Sequence, residues 1–251
     1  MEVIGTREVD ELQLHDEANV EGLDLNVKHN FCAISNGKVF DYDRTYVKQL
    51  CKELKKLDKI GLKNINDKQR KHLDKICRRN EWYFKKLVSD VLSYCEENSI
   101  YDLVLEDLEL FTGSYAKNAE FGVKYSRLVR LLHLNSVKEW MKQQAEKRGI
   151  RVHLTPSYYS SQQCPVCGCI DKENRETQED FKCCNCGHHE NADLNAAKNL
   201  KSRYTNVLWK DALHRVDAYR RLVPKPFIKK DYVKSVLSKD LTGLYCDVSR
   251  L

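Results

Sequence analysis

From Val20 to Val27 apolar and polar positions alternate, with Leu23, Leu25 and Val27 on one side and Gly22, Asp24 and Asn26 on the other. That is the period of a half-buried strand. The run FCAIS, residues 31–35, meets the turn pair Asn36-Gly37, so a hairpin is predicted to follow. The period then changes. Between Arg44 and Asn98 there is no proline and a single glycine, Gly61. Leu50, Leu54 and Leu57, then Leu73, Ile76, Trp82, Leu87, Val91 and Leu92, recur at helical spacing. Two helices joined near residues 61–66 are predicted. The segment YDLVLEDLEL, residues 101–110, is an apolar run too brief for a helix and bounded by charge, which suits a buried strand ending at Glu106 or Asp107. After a loop around FTGSYAKN, a helix is predicted from about Val123 to Arg148. Leu128, Leu131, Leu132 and Val137 form its stripe and Gly149 its stop. IRVHLTP reads as the next strand. A ribbon over 158–190, a helix from Asp193 and a basic tail with Pro224 and Pro226 complete the chain, with no internal repeat.

Composition bounds this picture without deciding it. A chain of 251 residues, 41% of them hydrophobic, can bury one substantial core and carry a small appended module. No run approaches the roughly 18 apolar residues of a membrane span, and the acidic amino terminus lacks the basic start of an export signal. A cytoplasmic protein without membrane contact is expected. The formal charge of +6 is unevenly spread. Residues 1–30 hold eight acids and two bases, Arg44 to Lys86 fifteen bases and five acids, and 201–251 twelve bases and five acids. The two basic blocks read either as solvated helix faces or as surfaces for a polyanion, of which nucleic acid is the usual one.

Eleven cysteines are too many to ignore, and their odd number argues against a disulfide framework. Cys164, Cys167, Cys183 and Cys186 form C-x2-C-x15-C-x2-C, the spacing of a zinc ribbon, with Gly168 and Gly187 following each pair. Cys169, Cys184, His188 and His189 stand nearby but lack a matching knuckle glycine. Four thiolates close a tetrahedral site and leave no position for water, so this zinc is expected to be structural.

Chemistry is then sought among the 37 acids, and position singles out three. Asp24 lies mid-strand opposite Leu23 and Leu25, Glu106 ends an apolar strand, and Asp193 opens a helix whose Ala196, Ala197 and Leu200 share its face. A carboxylate at such places is costly unless a cation neutralises it, and clustered carboxylates are what magnesium ions require. Pattern alone leaves a shared metal site and three unrelated surface acids both open.

The blocks GLDLNVKHNFCAISNGK, YDLVLEDLEL, SSQQCPVCG, DKENRETQEDFKCCNCG and NADLNAAKNL, in this order, resemble the RuvC-type nuclease half of the TnpB (OrfB) proteins. These are transposon-associated relatives of type V CRISPR effectors. The similarity runs from about Gly22 to Leu200, with weaker matches at Arg79 and Ser161-Gln162. It implies an α/β, RNase H-like (RuvC-type) mixed sheet flanked by helices, with an inserted four-Cys zinc ribbon and a basic helical hairpin. By the same resemblance Asp24, Glu106 and Asp193 are the catalytic acids of a DNA endonuclease. Hard oxygen ligands favour Mg2+ or Mn2+, two ions roughly 4 Å apart in a two-metal mechanism. Zn2+ in the ribbon would stiffen the wall beside them. DNA, single-stranded or unwound, is the implied partner, and a guide RNA is left open. Lys28, Arg78, Arg79, Lys85, Lys86 and Arg175 are the candidate nucleic-acid contacts.

The resulting division is 1–157 for the first part of the nuclease core, with the hairpin at about 44–98, then 158–190 for the ribbon. Residues 191–205 form the last core helix and 206–251 a basic tail. Two departures from the family matter. Only 23 residues precede Asp24, where family members carry a wedge and recognition region, and Asn26 stands where a glycine is common. Beside the nuclease reading stand a silent nucleic-acid-binding remnant and a stand-alone, structure-specific resolvase. Trp82, Tyr83, Trp209 and Tyr219 read as base-stacking or core aromatics, and His72, His133 and His153 as ordinary surface or core residues.

Overall fold

The computed structural model describes residues 19–26, 30–60, 66–107, 134–156, 158–175, 177 and 179–222. Five strands, β1 (Val20–Leu25), β2 (Asn30–Ile34), β3 (Val39–Asp41), β4 (Asp102–Glu106) and β5 (Arg151–Thr155), form one sheet in the order β3-β2-β1-β4-β5. The first three pair antiparallel, whereas β1 with β4 and β4 with β5 pair parallel, so the sheet is mixed. Gly37, at φ 100°, makes the β2–β3 turn, and its N–H donates to the Ile34 carbonyl at 2.9 Å. Helices α1 (Arg44–Ile60) and α2 (Asp67–Glu97) form the predicted hairpin. A reciprocal cap of Asn66 with Gln69 starts α2.

One face of the sheet carries the main core. Leu23, Phe31, Ile34, Leu103 and Leu105 pack with Leu50 of α1, Val88 and Leu92 of α2, and Val137 and Met141 of α3 (Leu134–Lys147). Val137 is buried as its spacing requires. The earlier part of that predicted helix, with Leu128, Leu131 and Leu132, lies outside the described residues. A small two-stranded sheet, β6 (Asp180–Lys182) with β7 (His189–Asn191), belongs to the ribbon. Two helices follow, α4 (Ala192–Thr205) and α5 (Val207–Leu222). Helix α5 falls where charge alone suggested a tail. Its Trp209, Ala212, Leu213 and Val216 recur at three- and four-residue steps and bury against Ile170, Tyr158 and Tyr159. Residues 223–251, with Pro224 and Pro226, lie outside the described set.

The opposite face of the sheet receives α4. Val20, Val104 and Leu200 form its apolar contact. Gly22 lies directly beneath the helix: a Cβ there would stand 1.9 Å from the Ala197 carbonyl oxygen and 2.8 Å from the Lys201 nitrogen. Both are backbone atoms, so a side chain at position 22 would push the helix off the sheet. On the same face Asp102, only 2% exposed, accepts hydrogen bonds from Arg151 and binds His153, each at 2.6 Å, and His153 stacks on Tyr204 of α4 at 4.1 Å. Burial pushes the Asp102 carboxyl up, but the hydrogen bonds from Arg151 and His153, with their charges, outweigh it and hold the group below its ordinary value.

Gly22→Ala is expected to cost about 1–3 kcal/mol, the range of overpacking, with urea unfolding as the measurement. A second outcome concerns acid. Because the folded value of Asp102 is depressed, its contribution is present above the unfolded value near ~3.9 and is lost as pH falls through the folded one. Asp102→Asn is expected to lower stability at pH 7 by roughly 2–3 kcal/mol and to flatten the decline of thermal midpoint between about pH 5 and pH 2.

Candidate functional site

Each cysteine pair closes a tight turn of the same build. The Gly168 N–H donates to the Cys164 carbonyl at 2.9 Å, and the Gly187 N–H to the Cys183 carbonyl at 3.0 Å. Gly168 has φ 71° and Gly187 φ 74°, left-handed backbone that glycine adopts without strain. The two knuckles face each other. The sulfurs of Cys164, Cys167, Cys183 and Cys186 all lie within 4.8 Å of one another, with Cys164 to Cys186 at 3.6 Å and Cys167 to Cys183 at 3.5 Å. A tetrahedron of bonds of ~2.3 Å places sulfurs about 3.8 Å apart, so this cluster can hold a metal such as zinc. Cys169 and Cys184 are outside that set.

The three acids come from three elements that the fold brings to one face. Asp24 of β1 and Glu106 of β4 follow one step after the last register pair, Leu23 with Leu105, at the carboxyl ends of parallel neighbours. Asp193 is in the first turn of α4, where Asn191 caps the helix by accepting from the Asp193 and Leu194 N–H groups at 3.0 and 3.2 Å. Helix amides favour a carboxylate at that end. Asp24 is 9% exposed and Asp193 5%. Burial first, and then the charges of Glu106 and Asp193, push the Asp24 carboxyl well above the usual carboxylate range, against the Asn26 hydrogen bond and the charge of Arg175. Glu106 is raised by burial, opposed by a hydrogen bond from Ser160 and by the charges of Arg203, Lys138 and Arg175. Among the described residues the four cysteines alone reach mutual distances of 4.8 Å, so the acids form a looser cluster. Two ions about 4 Å apart spread their ligands more widely than a single-ion cage does, and an all-oxygen donor set fits hard divalent cations.

Cage and acids are joined by a polar stripe on α4 that pattern reading missed. Asn195 donates to the Gln163 carbonyl at 2.9 Å, and Asn199 to the carbonyls of Ser160 and Gln163 at 2.7 and 2.8 Å. Arg203, 1% exposed, donates to the carbonyls of Pro156 (2.6 Å) and Tyr158 and lies over Trp209. With the cap Asn191 these residues recur every four positions, a spacing visible in NADLNAAKNLKSR that apolar counting ignores. They hold the segment whose Ser160 binds Glu106 and whose next step is Cys164. Asn26 and Asn30 are also polar partners of the acids. Asn26 binds Asp24 and Asn30, and Asn30 binds Asp193.

The candidate nucleic-acid contacts are placed unequally. Lys28 lies outside the described residues. Arg79 is tied to Glu53 at 2.5 Å and lies over Tyr46, and Lys85 pairs with Glu81 and lies over Trp140. Arg78 is exposed on α2. Lys86 and Trp82, the latter 66% exposed, line a cavity of about 490 Å³ with Tyr46 and Tyr83. Arg175 is carried by the ribbon toward the acids. Trp209 is core, and the Tyr219 side chain is outside the described set. No helix among the described residues is long and apolar enough to cross a membrane.

Comparison with known proteins meets this geometry where cage and third acid adjoin. The family profile of the Cas12f1-like TNB domain matches residues 135–200. The chain is 30% identical over 200 residues to a putative RNA-guided DNA endonuclease, InsQ, of Escherichia coli, covering 74% of this chain and 49% of that protein. The chain is a TnpB-family relative of the type V effectors. Over 56 residues, 22% of the chain, it is 50% identical to the CRISPR-associated endodeoxyribonuclease Cas12f1 of Sulfoacidibacillus thermotolerans, 13% of which is covered. In fold it is similar to Cas12f1 in a cryo-EM Cas12f1–sgRNA–target DNA complex, with a TM-score of 0.57 at 18% identity, over 76% of this chain and 52% of that one. This TnpB relative thus spans about half the length of InsQ.

The cage generates its own test. Purified protein is expected to carry one zinc per chain by elemental mass spectrometry. Cys183→Ser is expected to empty the site and lower the thermal midpoint by roughly 10 °C, since each kcal/mol is worth about 2–4 °C in a chain of this size.

Proposed function

We propose that this chain is the metal-dependent endonuclease domain of a transposon-associated TnpB-like protein, with an RNase H-like, RuvC-type core that hydrolyses DNA phosphodiester bonds. The observation that carries the reading is the convergence of Asp24, Glu106 and Asp193, from β1, β4 and α4, on one buried face, with each acid's charge felt by Asp24. The similarity to a putative RNA-guided DNA endonuclease and to a CRISPR-associated endodeoxyribonuclease supports the same chemistry. In this reading residues 1–157 and 191–205 make up the core, 158–190 the inserted ribbon, and zinc occupies the four-cysteine cage as a structural ion.

The three carboxylates would hold two Mg2+ or Mn2+ ions. When bound, these supply an activated water and stabilise the leaving 3′ oxygen. The protein's own groups do the rest. Ser160 donates to Glu106 and orients it, partly offsetting the burial that raises it, and Asp193 sits in the first turn of α4, with Asn30 donating to its carboxylate. Arg175 binds a phosphate oxygen beside the acids, since its charge reaches both Asp24 and Glu106. Farther out, Arg78 and Lys86 bind the strand's backbone and Trp82 stacks on a base, whereas Arg79 and Lys85 chiefly brace α2 through Glu53 and Glu81; Lys28 is a further candidate for a backbone contact. The preferred substrate is single-stranded or unwound DNA, and a guide RNA is a further partner to be tested.

Asp24→Ala is expected to reduce Mn2+-dependent cleavage of labelled single-stranded DNA at least about 10³-fold, the scale of losing a charge-stabilising group. Association, followed by fluorescence anisotropy, is expected to persist and to weaken steeply with salt. Unchanged cleavage by the variant would remove these acids from the mechanism.

A further inference from the structure

Two of the acids, 169 positions apart in the chain, are joined by a pair of asparagine side chains. Asn26 donates from Nδ2 to Oδ2 of Asp24 at 3.2 Å and to Oδ1 of Asn30 at 3.0 Å. Asn30 donates from Nδ2 to Oδ2 of Asp193 at 2.7 Å. The NH2 of each asparagine faces an aspartate oxygen, and the oxygen of Asn30 is turned toward Asn26. The backbone leaves little slack: the Asn26 N–H donates to the Phe31 carbonyl at 2.9 Å, and its own carbonyl accepts from the Tyr42 hydroxyl at 2.6 Å. Asn30 is 6% exposed.

We propose that Asn26 and Asn30 are positioning residues. They form a neutral amide bridge that holds Asp24 and Asp193 at a set separation before any divalent ion arrives, and so raise the site's affinity for that ion. The inference rests on the reading of the three acids as a divalent-ion site. Buried like charges drive apart unless donors oppose them, and here the donors are uncharged, so they steady the pair without competing for the ion's charge. Each amide engages only Oδ2 of its aspartate, which leaves the other oxygen of both carboxylates for coordination. Outer partners of this kind commonly change metal affinity by tenfold or more, because they fix the ligand's orientation in advance. Asn26 occupies a position where the family resemblance favours glycine.

The test is calorimetric titration of Mn2+ into the full chain and into Asn26→Gly, Asn30→Ala, the double variant and Asp24→Ala, with thermal melts in EDTA alongside. Each asparagine variant is expected to bind Mn2+ about tenfold more weakly. The double variant is expected to lose little beyond the worse single, since both belong to one connected chain of hydrogen bonds. Asn26→Gly, at a half-buried position, carries the test if Asn30→Ala does not fold. Affinities within twofold of the parent, with or without a lowered melting midpoint, would overturn the bridge, as would losses that multiply in the double variant. If the parent and Asp24→Ala take up Mn2+ alike, the ion-site reading fails and the bridge with it. If the parent binds Mn2+ with asparagine-dependent affinity yet cuts no DNA, the bridge stands and only the nuclease reading falls.

Discussion

Helix α4 rests on β1 with backbone against backbone at Gly22 and Ala197, a contact no side chain at position 22 would permit. The elements run in opposite directions, since Leu200 meets Val20 while Asp193 lies beyond Ala197 toward the end of the strand that holds Asp24. Two residues of strand advance about 6.7 Å and one helical turn of four residues about 6 Å, so Asp24 and Asp193 arrive together once Gly22 and Ala197 touch. Glu106 needs no separate device. The parallel register of β1 with β4 carries it to the same height on the same face. Position 22 therefore governs the site although nothing about its chemistry is reactive.

The second face of α4 explains why a metal cage stands immediately before an acidic residue. Asn191, Asn195, Asn199 and Arg203 present their polar groups at successive turns, and the last three grip the carbonyls of 156–163. That segment ends in Gln163, beside Cys164, while β7 ends in Asn191, the cap of α4. The cage closes a loop both of whose ends are fastened to one helix. A metal there shortens the unfolded alternatives of the segment that orients Ser160 toward Glu106 and carries Arg175 toward the acids. Cage and acid cluster share a mechanical frame even though they suit different kinds of ion.

Much of this was legible because it depends on local periodicity. Alternation in β1, helical spacing in α2 and knuckle spacing in the ribbon each report on neighbours within a few residues. The mixed sheet and the four-sulfur cluster follow from such signals together with family resemblance. What stayed hidden was cross-chain and polar. Asn30 reaches Asp193 across 163 positions, and no pattern in a single chain announces that meeting. Helix α5 was obscured by Lys and Arg residues that flank Trp209 and Val216, whose spacing was the better guide. The basic residues of α2 also have partners that a charge count does not show: Glu53 engages Arg79 and Glu81 engages Lys85.

The distribution of opposing charge within the site separates the three acids. Glu106 has Ser160 as a donor and feels Arg203, Lys138 and Arg175, while Asp193 has the amides of a helix start and Asn30. Asp24 has the Asn26 amide and the charge of Arg175 on one side, and burial with the charges of Glu106 and Asp193 on the other, and the latter hold it well above the usual carboxylate range. Arg203 cannot move to its aid, because its guanidinium is committed to the carbonyls of Pro156 and Tyr158. A cation placed beside Asp24 would offset burial and two repulsions at once.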